Sequence, residues 1–325
     1  MTFSPSGPLK LGFQNVQPPA DGDGVFHLAD FETTQRLVQA LERNGFHAMW
    51  AGDHLAFAQP ILDPLIQLSQ ASAISQRLML GTAVFLLPLR HPAPVAKQIA
   101  TLDLMSSGRV IFGVGVGGEF PGEFALSGVP VTERGARLSE GIEVLRKLWS
   151  GAPVAHAGKF YPFPETQMLP APFQTGGPPI WCGGRKEAAL RRAGRLADGW
   201  LSYVVTPDQY RTALEIIARA GEEAKRDLSE FGTGHLLFVR LAKDYESALQ
   251  YASEKLSARY AMDFSKPAKR YCALGTAEQV AASIREFHQA GVRHLVLDFI
   301  AERADQIEQI DHFGEAVVPL LSDLI

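Results

Sequence analysis

Short apolar runs alternate with amphipathic stretches along the whole chain. A continuous apolar run between two helices is typical of a parallel strand that is covered on both faces. Apolar residues spaced three and four apart indicate an amphipathic helix, and the clearest example is 132–150, with Leu138, Ile142, Leu145 and Trp149 on one face. The pattern predicts eight strands, at 9–16, 46–54, 77–88, 109–117, 178–184, 198–205, 235–242 and 294–300.

Eight strands, most of them followed by a helix, predict a single (β/α)8 TIM barrel over residues 1–325. A barrel of this kind typically needs about 250 residues, so a chain of 325 residues should carry insertions. We place them at about 151–178 and 244–274, where the strand–helix rhythm is interrupted. The first is rich in Pro and Gly and predicts a hairpin, which would serve either as a lid over the barrel or as a contact for a partner subunit.

A doubly wound open sheet is the alternative fold, because the chain contains a glycine-rich strand end. The stretch Gly113-Val-Gly115-Val-Gly117-Gly118 places glycine at alternating positions. A dinucleotide fingerprint needs the spacing GxGxxG and a helix directly after it, whereas an extended loop is expected here. The barrel is therefore favoured.

Composition narrows the class of protein. The net charge of -4 argues against nucleic acid or an anionic membrane as the main partner. The first residues, MTFSPSGPLK, lack the apolar region of a secretory signal, and no apolar run is long enough to span a bilayer. The two cysteines lie far apart, and no metal-ligand spacing of His, Cys or carboxylates occurs, so we expect no metal site. These features predict a cytoplasmic protein.

Functional residues of a TIM barrel lie at the carboxyl ends of its strands. Asp53 and His54 end the second predicted strand, and Glu119 follows the fourth. A histidine at this rim transfers protons, hydrogen-bonds a ligand or is simply structural, and the neighbouring Asp53 favours a functional role. Gly115 and Gly117 remove side chains from the fourth strand, which would leave room for a flat ring.

Gly183, Gly184 and Arg185 end the fifth predicted strand, directly before a helix. Free backbone N–H groups at a helix start, together with an arginine, form a site for an anion such as phosphate. A tight turn that needs glycine for its backbone conformation is an equally good interpretation of the two glycines.

Four stretches of the chain resemble the bacterial-luciferase-like superfamily. The longest is LGTAVFLLPLRHPAPVAKQIATLDLMSSGRVIFGVGVGGEFPGEFALSGVPVTERGARLSEGIEVLRKLW at 80–149. The others are AGDH at 51–54, PIWCGG with RRAGRLADGW within 179–200, and GTAEQVAASIREFHQAGVRHLVLDF at 275–299. They follow the order of the family and cover nearly the whole chain.

The resemblance implies a TIM barrel that binds a flavin-type ring at its mouth. Some members are monooxygenases that use O2 and reduced FMN from a separate reductase, and others use the deazaflavin coenzyme F-420. We expect an oxidoreductase of the first kind, which incorporates molecular oxygen into a small organic substrate, and a homodimer as is common in the family. The alternatives are F-420-dependent hydride transfer and a flavin-binding protein without catalytic activity.

The resemblance also assigns roles to residues. It places a non-prolyl cis peptide against the ring at Ala83–Val84, a ring-facing histidine at His54 beside Asp53, and phosphate binding at Gly183 and Gly184. For the long acidic tail of F-420, the available cations would be Arg185, Lys186, Arg191 and Arg192.

Two positions depart from the family pattern. Val116 stands where the luciferases carry a phosphate-binding arginine. Gly118 stands where the deazaflavin sugar-phosphate dehydrogenases carry a catalytic glutamate, although Glu119 is adjacent. The choice of cofactor therefore stays open at the level of sequence.

Overall fold

The computed structural model describes residues 5–15, 31–57, 61–118 and 120–325. The strands within these ranges are β1 (Lys10–Asn15), β2 (Ala48–Ala51), β3 (Met79–Thr82), β4 (Val110–Val114), β5 (Val154–His156), β6 (Phe163–Thr166), β7 (Ile180–Gly183), β8 (Gly199–Tyr203), β9 (Gly232–Leu241), β10 (Cys272–Gly275) and β11 (His294–Phe299). The helices are α1 (Phe31–Arg43), α2 (Pro64–Ile74), α3 (Pro92–Met105), α4 (Pro121–Leu126), α5 (Arg134–Trp149), α6 (Glu187–Leu196), α7 (Pro207–Glu223), α8 (Tyr245–Tyr260), α9 (Ser265–Tyr271), α10 (Ala277–Gln289) and α11 (Gln306–Ala316).

Within the described residues, eight parallel strands close into a barrel, in the order β1-β2-β3-β4-β7-β8-β9-β11 and back to β1. This confirms the predicted TIM barrel. Strand β10 lies outside the closed ring and pairs only with the end of β9. Strands β5 and β6 form the hairpin predicted within 151–178. In the part of the chain that the structure describes, no helix is both long and apolar enough to cross a membrane.

Tryptophan fills the interior of the barrel. The rings of Trp50 on β2 and Trp181 on β7 lie 5.6 Å apart, between their centroids, inside the ring of strands. A Cβ atom added at Gly12 or Gly81 would overlap the Trp50 side chain. The glycines of β1 and β3 therefore make room for an indole that a barrel of eight strands has little space for.

The third strand is shorter than the predicted 77–88. It ends at Thr82, and the apolar residues that follow form a turn with a short 3-10 helix at Leu87–Leu89. These leucines are buried in the packing between strands and helices, so their apolar pattern resembles that of a strand. A short helix, α4, also lies in the stretch predicted to be an extended loop after β4.

The two insertions lie in different places. Residues 151–178 pack on the outside of the barrel, where Glu140 of α5 accepts hydrogen bonds from the backbone of Phe160 and Tyr161 at 2.9 and 2.7 Å. Further along, Asp103 of α3 accepts one from the backbone N–H of Gln174 at 2.8 Å. Residues 244–274 form α8, α9 and most of β10, at the carboxyl end of β9. The second insertion is therefore the one at the barrel mouth.

His235 of β9 is buried between the barrel and its helices. Its Nδ1 lies 2.6 Å from Ser202 Oγ, and its ring stacks on Phe287 at 4.1 Å between centroids. Burial lowers the pKa of His235 to about 3. In the unfolded chain a histidine has a pKa of about 6.5. At a pH between about 3 and 6.5, the unfolded chain therefore binds a proton at His235 that the folded chain does not bind.

We therefore expect the free energy of unfolding to fall as the pH falls below about 6.5, with His235 contributing a loss of about 2 kcal/mol at pH 5. Urea unfolding at pH 7 and at pH 5 measures this loss. His235→Gln should reduce the difference between the two pH values by that amount. An unchanged difference in the variant would show that His235 does not cause the acid sensitivity.

Candidate active site

A cavity of about 890 Å³ opens at the carboxyl ends of the barrel strands. One side comes from the ends of β7 and β8 and the starts of α6 and α7, and the other from α8, α9 and the loop before α4. Its lining is mainly apolar and aromatic, and includes Phe120, Arg185, Leu190, Tyr203, Val204, Val205, Tyr260, Met262, Phe264 and Pro267. This is the position and character expected of a ligand site in a TIM barrel.

The peptide bond between Ala83 and Val84 is cis, as the resemblance implies. The chain bulges here toward β4 and β7. A Cβ atom at Gly113 would overlap the carbonyl oxygen of Thr82, and one at Gly115 would overlap Val84 Cγ2. At Gly183 it would approach Val84 Cγ1 to 3.1 Å.

Gly113 of β4 and Gly115 just after it thus admit the bulge of the neighbouring chain, and contact of Gly115 and Gly117 with a flat ring stays a prediction. A missing side chain reveals that something lies close but not what it is. Gly117, with φ +61°, lies farther along, where a Cβ atom would come within 3.4 Å of Leu86.

Gly115→Ala should therefore destabilise the protein by about 1–3 kcal/mol, because Val84 must move to admit the new methyl group. Gly122→Ala is the matched control, since a Cβ atom there meets no atom of the described residues within 4 Å and alanine favours the helix α4. Urea unfolding compares the two variants. Equal stability of both would contradict the close packing of Val84 against β4.

His54 is held by a buried carboxylate. Its Nδ1 lies 3.1 Å from Oε1 of Glu123, which is the first acidic residue of α4 and has a side chain only 1% exposed. The same oxygen accepts hydrogen bonds from the backbone of Leu55 at 2.7 Å and Ala56 at 3.3 Å. A carboxylate beside Nδ1 favours the tautomer with the proton on Nδ1, and so leaves Nε2 as the nitrogen for a ligand.

Aromatic rings surround His54 and continue along the cavity. Its ring stacks on Phe57 at 4.4 Å and meets the edge of Phe120 at 5.4 Å, between centroids. Phe57 in turn contacts Phe120 at 4.8 Å and Tyr260 at 6.4 Å. The set continues through neighbouring ring contacts, and we call it the aromatic collar: Phe57, Phe120, Tyr203, Phe238, Tyr260 and Phe264.

Asp53 binds a residue other than His54, and its catalytic role stays a prediction. Its carboxylate binds both guanidinium nitrogens of Arg90 at 2.6 and 2.8 Å and accepts the backbone N–H of Leu86 at 2.8 Å. The side chains of Asp53 and Arg90 are 1% and 20% exposed. Both residues lie in the loop after β2, where Asp53 binds the turn after β3 and His54 binds α4. Asp53 fastens the end of β2 to the turn after β3.

The predicted anion site lies on the cavity. Gly184 has φ +109° and its carbonyl accepts a hydrogen bond from Trp200 Nε1 at 2.7 Å. Arg185 follows at the start of α6, is exposed, and lines the cavity. Of the three predicted anion ligands, the structure thus places Arg185 on the cavity. Anion binding at Gly183, Gly184 and Arg185 stays a prediction, and Glu119 lies outside the described residues.

Gln14 near the end of β1 is a residue to which sequence reasoning gave no role. It shares the inward face of its strand with Gly12, it is 3% exposed, and its Oε1 has no hydrogen-bond partner among the described residues. A buried acceptor without a partner is costly unless a ligand supplies a donor. A flavin-type ring carries such an N–H group, so Gln14, the cavity and Arg185 together fit a flavin-type cofactor.

Comparison with known proteins gives the family. The family model described as luciferase-like monooxygenase matches residues 11–294. An F-420-dependent glucose-6-phosphate dehydrogenase of Nakamurella multipartita is 30% identical, over 98% of this chain and 98% of its own. The oxygenase component of a flavin-dependent trigonelline monooxygenase from Acinetobacter baylyi is 34% identical, over 46% of this chain and 42% of its own.

The fold has solved counterparts as well. The crystal structure of monooxygenase RslO1 from Streptomyces bottropensis superposes with a TM-score of 0.82 at 24% identity, covering 96% of this chain and 99% of that one. The relatives are oxidoreductases that use either F-420 or a flavin. The barrel, the cis peptide and the match over most of the sequence agree, and the chain belongs to the luciferase-like monooxygenase family of oxidoreductases.

Proposed function

We propose that the chain is a flavin-dependent monooxygenase that uses reduced FMN and O2 to oxidise a small organic substrate. The observation that supports this most is the pair His54–Glu123, set against Phe120 of the aromatic collar, which lines the cavity. Reduced FMN, when bound, supplies the two electrons that let one oxygen atom enter the substrate while the other leaves as water.

The residues that would hold the cofactor lie around the same mouth. Gln14 would accept a hydrogen bond from the ring, and the backbone at Ala83 and Val84 would support its face. The start of α6, with Gly184 and Arg185, would bind the phosphate, because helix N-termini and guanidinium groups favour anions.

The protein's own contribution would be proton control and exclusion of water. Nε2 of His54 would hold or deliver a proton, while Glu123 fixes the orientation of the ring. The collar presents few polar atoms to the cavity, and a dry site protects reactive species from water.

The cations near α6 favour FMN over F-420. Arg191 is paired with Glu223 at 2.6 Å. Arg192 donates to Ser139 at 3.0 Å and to the carbonyl of Gly135 at 3.2 Å. Two of the four cations available to the acidic tail of F-420 are thus engaged within the protein.

F-420-dependent hydride transfer is the second candidate. It is favoured by the similarity to an F-420-dependent dehydrogenase along 98% of both chains. In this reaction the same His54 would serve as the proton partner, and no oxygen would be consumed.

Oxygen labelling tests the proposal. The chain is incubated with FMN, NADH, a flavin reductase, a panel of apolar compounds and ¹⁸O2, and the products are analysed by mass spectrometry. We expect one ¹⁸O atom in a product that requires both the chain and the reductase. Substrate oxidation that needs F-420 and carries no label would contradict the monooxygenase proposal.

A further inference from the structure

We propose that the substrate of this site is an uncharged compound with an aromatic ring, bound against the aromatic collar, and not a phosphorylated sugar. The inference rests on the proposed function, since it concerns the substrate of the same site. It departs from the glucose 6-phosphate in the name of a relative that matches this chain over its full length.

The first argument is the continuity of the collar. Tyr260 and Phe264 stack at 5.3 Å with an interplanar angle of 21°, and Phe238 meets both at 6.3 and 6.2 Å, between centroids. Phe57 joins Tyr260 to the ring of His54. A ligand ring beside His54 would therefore find both faces and edges of aromatic side chains, the arrangement in which aromatic pairs are most favourable.

The second argument is that the described arginines around the mouth are engaged within the protein, including Arg134 beside Gly118, which donates to the carbonyl of Val131 at 2.9 Å. Around the mouth, Arg90 is bound to Asp53, and Arg259 to Asp298 at 2.8 Å. Arg240 donates to the carbonyl of Ile300 at 3.1 Å and lies over the ring of Tyr251.

Among the described residues that line the cavity, Arg185 alone carries a positive charge, and the cofactor phosphate would use it. A phosphate dianion moved from water against the rings of the collar would lose its hydration without gaining a charged partner from them. The site therefore disfavours a phosphorylated substrate by desolvation as well as by shape.

The third argument is that one side of the cavity comes from an insertion in the barrel. Tyr260, Met262, Phe264 and Pro267 come from the insertion at 244–274, which interrupts the strand–helix rhythm of the barrel. The barrel does not need these residues for its own closure, yet they line the mouth with aromatic rings and a thioether. We therefore expect them to select the ligand.

Calorimetry of the protein without cofactor tests the inference, with 1-naphthol and glucose 6-phosphate as probes. We expect 1-naphthol to bind and glucose 6-phosphate to give no binding heat. Phe264→Ala should weaken 1-naphthol binding about tenfold, which corresponds to about 1.4 kcal/mol. Phe173→Ala, an exposed ring on the other insertion, is the matched control and should bind 1-naphthol like the parent.

Phe264→Leu guards against a folding defect, because it keeps apolar volume and removes only the ring; it should retain the melting temperature and still weaken binding. Two results would overturn the inference. One is that glucose 6-phosphate binds and 1-naphthol displaces it. The other is that both Phe264 variants bind 1-naphthol as tightly as the parent. These binding measurements need no cofactor, so they test the substrate class separately from the proposed function. If 1-naphthol binds but is not converted with either cofactor, the proposed function is contradicted and the substrate class is not.

Discussion

His54→Ala is expected to lower kcat by about 10²–10⁴-fold, the usual contribution of a positioned acid or base. The imidazole lies at the cavity edge between Phe57 and Phe120, and its Nδ1 is bound to Glu123. The ring is thus fixed with one nitrogen left for the reacting groups. The substitution removes that nitrogen but leaves the carboxylate hydrogen-bonded to the backbone of Leu55 and Ala56, so the fold should persist.

Two controls separate proton transfer from general damage. His312→Ala removes an exposed histidine on α11, far along the chain from the mouth, and should leave kcat unchanged. Glu123→Gln keeps the size of the side chain but removes its charge, so it should cost less than the loss of His54 itself. A His54→Ala enzyme with the parent kcat, measured at a saturating concentration of the same substrate, would remove His54 from the mechanism.

Asp53→Ala is expected to destabilise the protein by about 3 kcal/mol, because it leaves the largely buried guanidinium of Arg90 with only the more distant Asp63, at 3.9 Å, as a carboxylate partner. Both guanidinium nitrogens of Arg90 donate to the Asp53 carboxylate, at 2.6 and 2.8 Å. The same carboxylate accepts a hydrogen bond from the backbone N–H of Leu86. The loss should appear in urea unfolding.

The exposed pair Arg191–Glu223 provides the comparison. Its side chains are 38% and 49% exposed, so Glu223→Ala should cost less than about 1 kcal/mol. The double variant Asp53→Ala with Arg90→Met should recover part of the stability, since it removes the unpaired charge. If Asp53→Ala unfolds at the parent urea concentration and instead abolishes activity, Asp53 would be a catalytic residue as the sequence first suggested.

The barrel follows from the sequence because strands buried on both faces must be apolar along their whole length. Eight such runs leave few alternatives to a closed parallel barrel. The position of His54 could also be predicted from the sequence, because functional residues of a TIM barrel lie at the carboxyl ends of its strands. The resemblance added the cis bond at Ala83–Val84, which no periodicity indicates.

The hydrogen-bond partner of His54 could not be predicted from the sequence. Asp53 is its neighbour in sequence, but in the loop after β2 Asp53 binds Arg90, and Glu123 reaches His54 from 69 residues away. The sequence pattern did not single out Glu123, because its contact with His54 joins two stretches that lie far apart along the chain. Nor could it show that the collar forms, because its rings come from six separate points of the chain with no common spacing.

Anaerobic titration of the purified chain with reduced FMN and with reduced F-420 tests the central claim most directly, with fluorescence quenching as the readout of each affinity. The proposal predicts that reduced FMN binds at micromolar concentration, that Gln14→Leu weakens this binding, and that admitted air oxidises the complex. Binding of reduced F-420 alone, in a complex that air leaves unchanged, would contradict the monooxygenase and establish hydride transfer in its place.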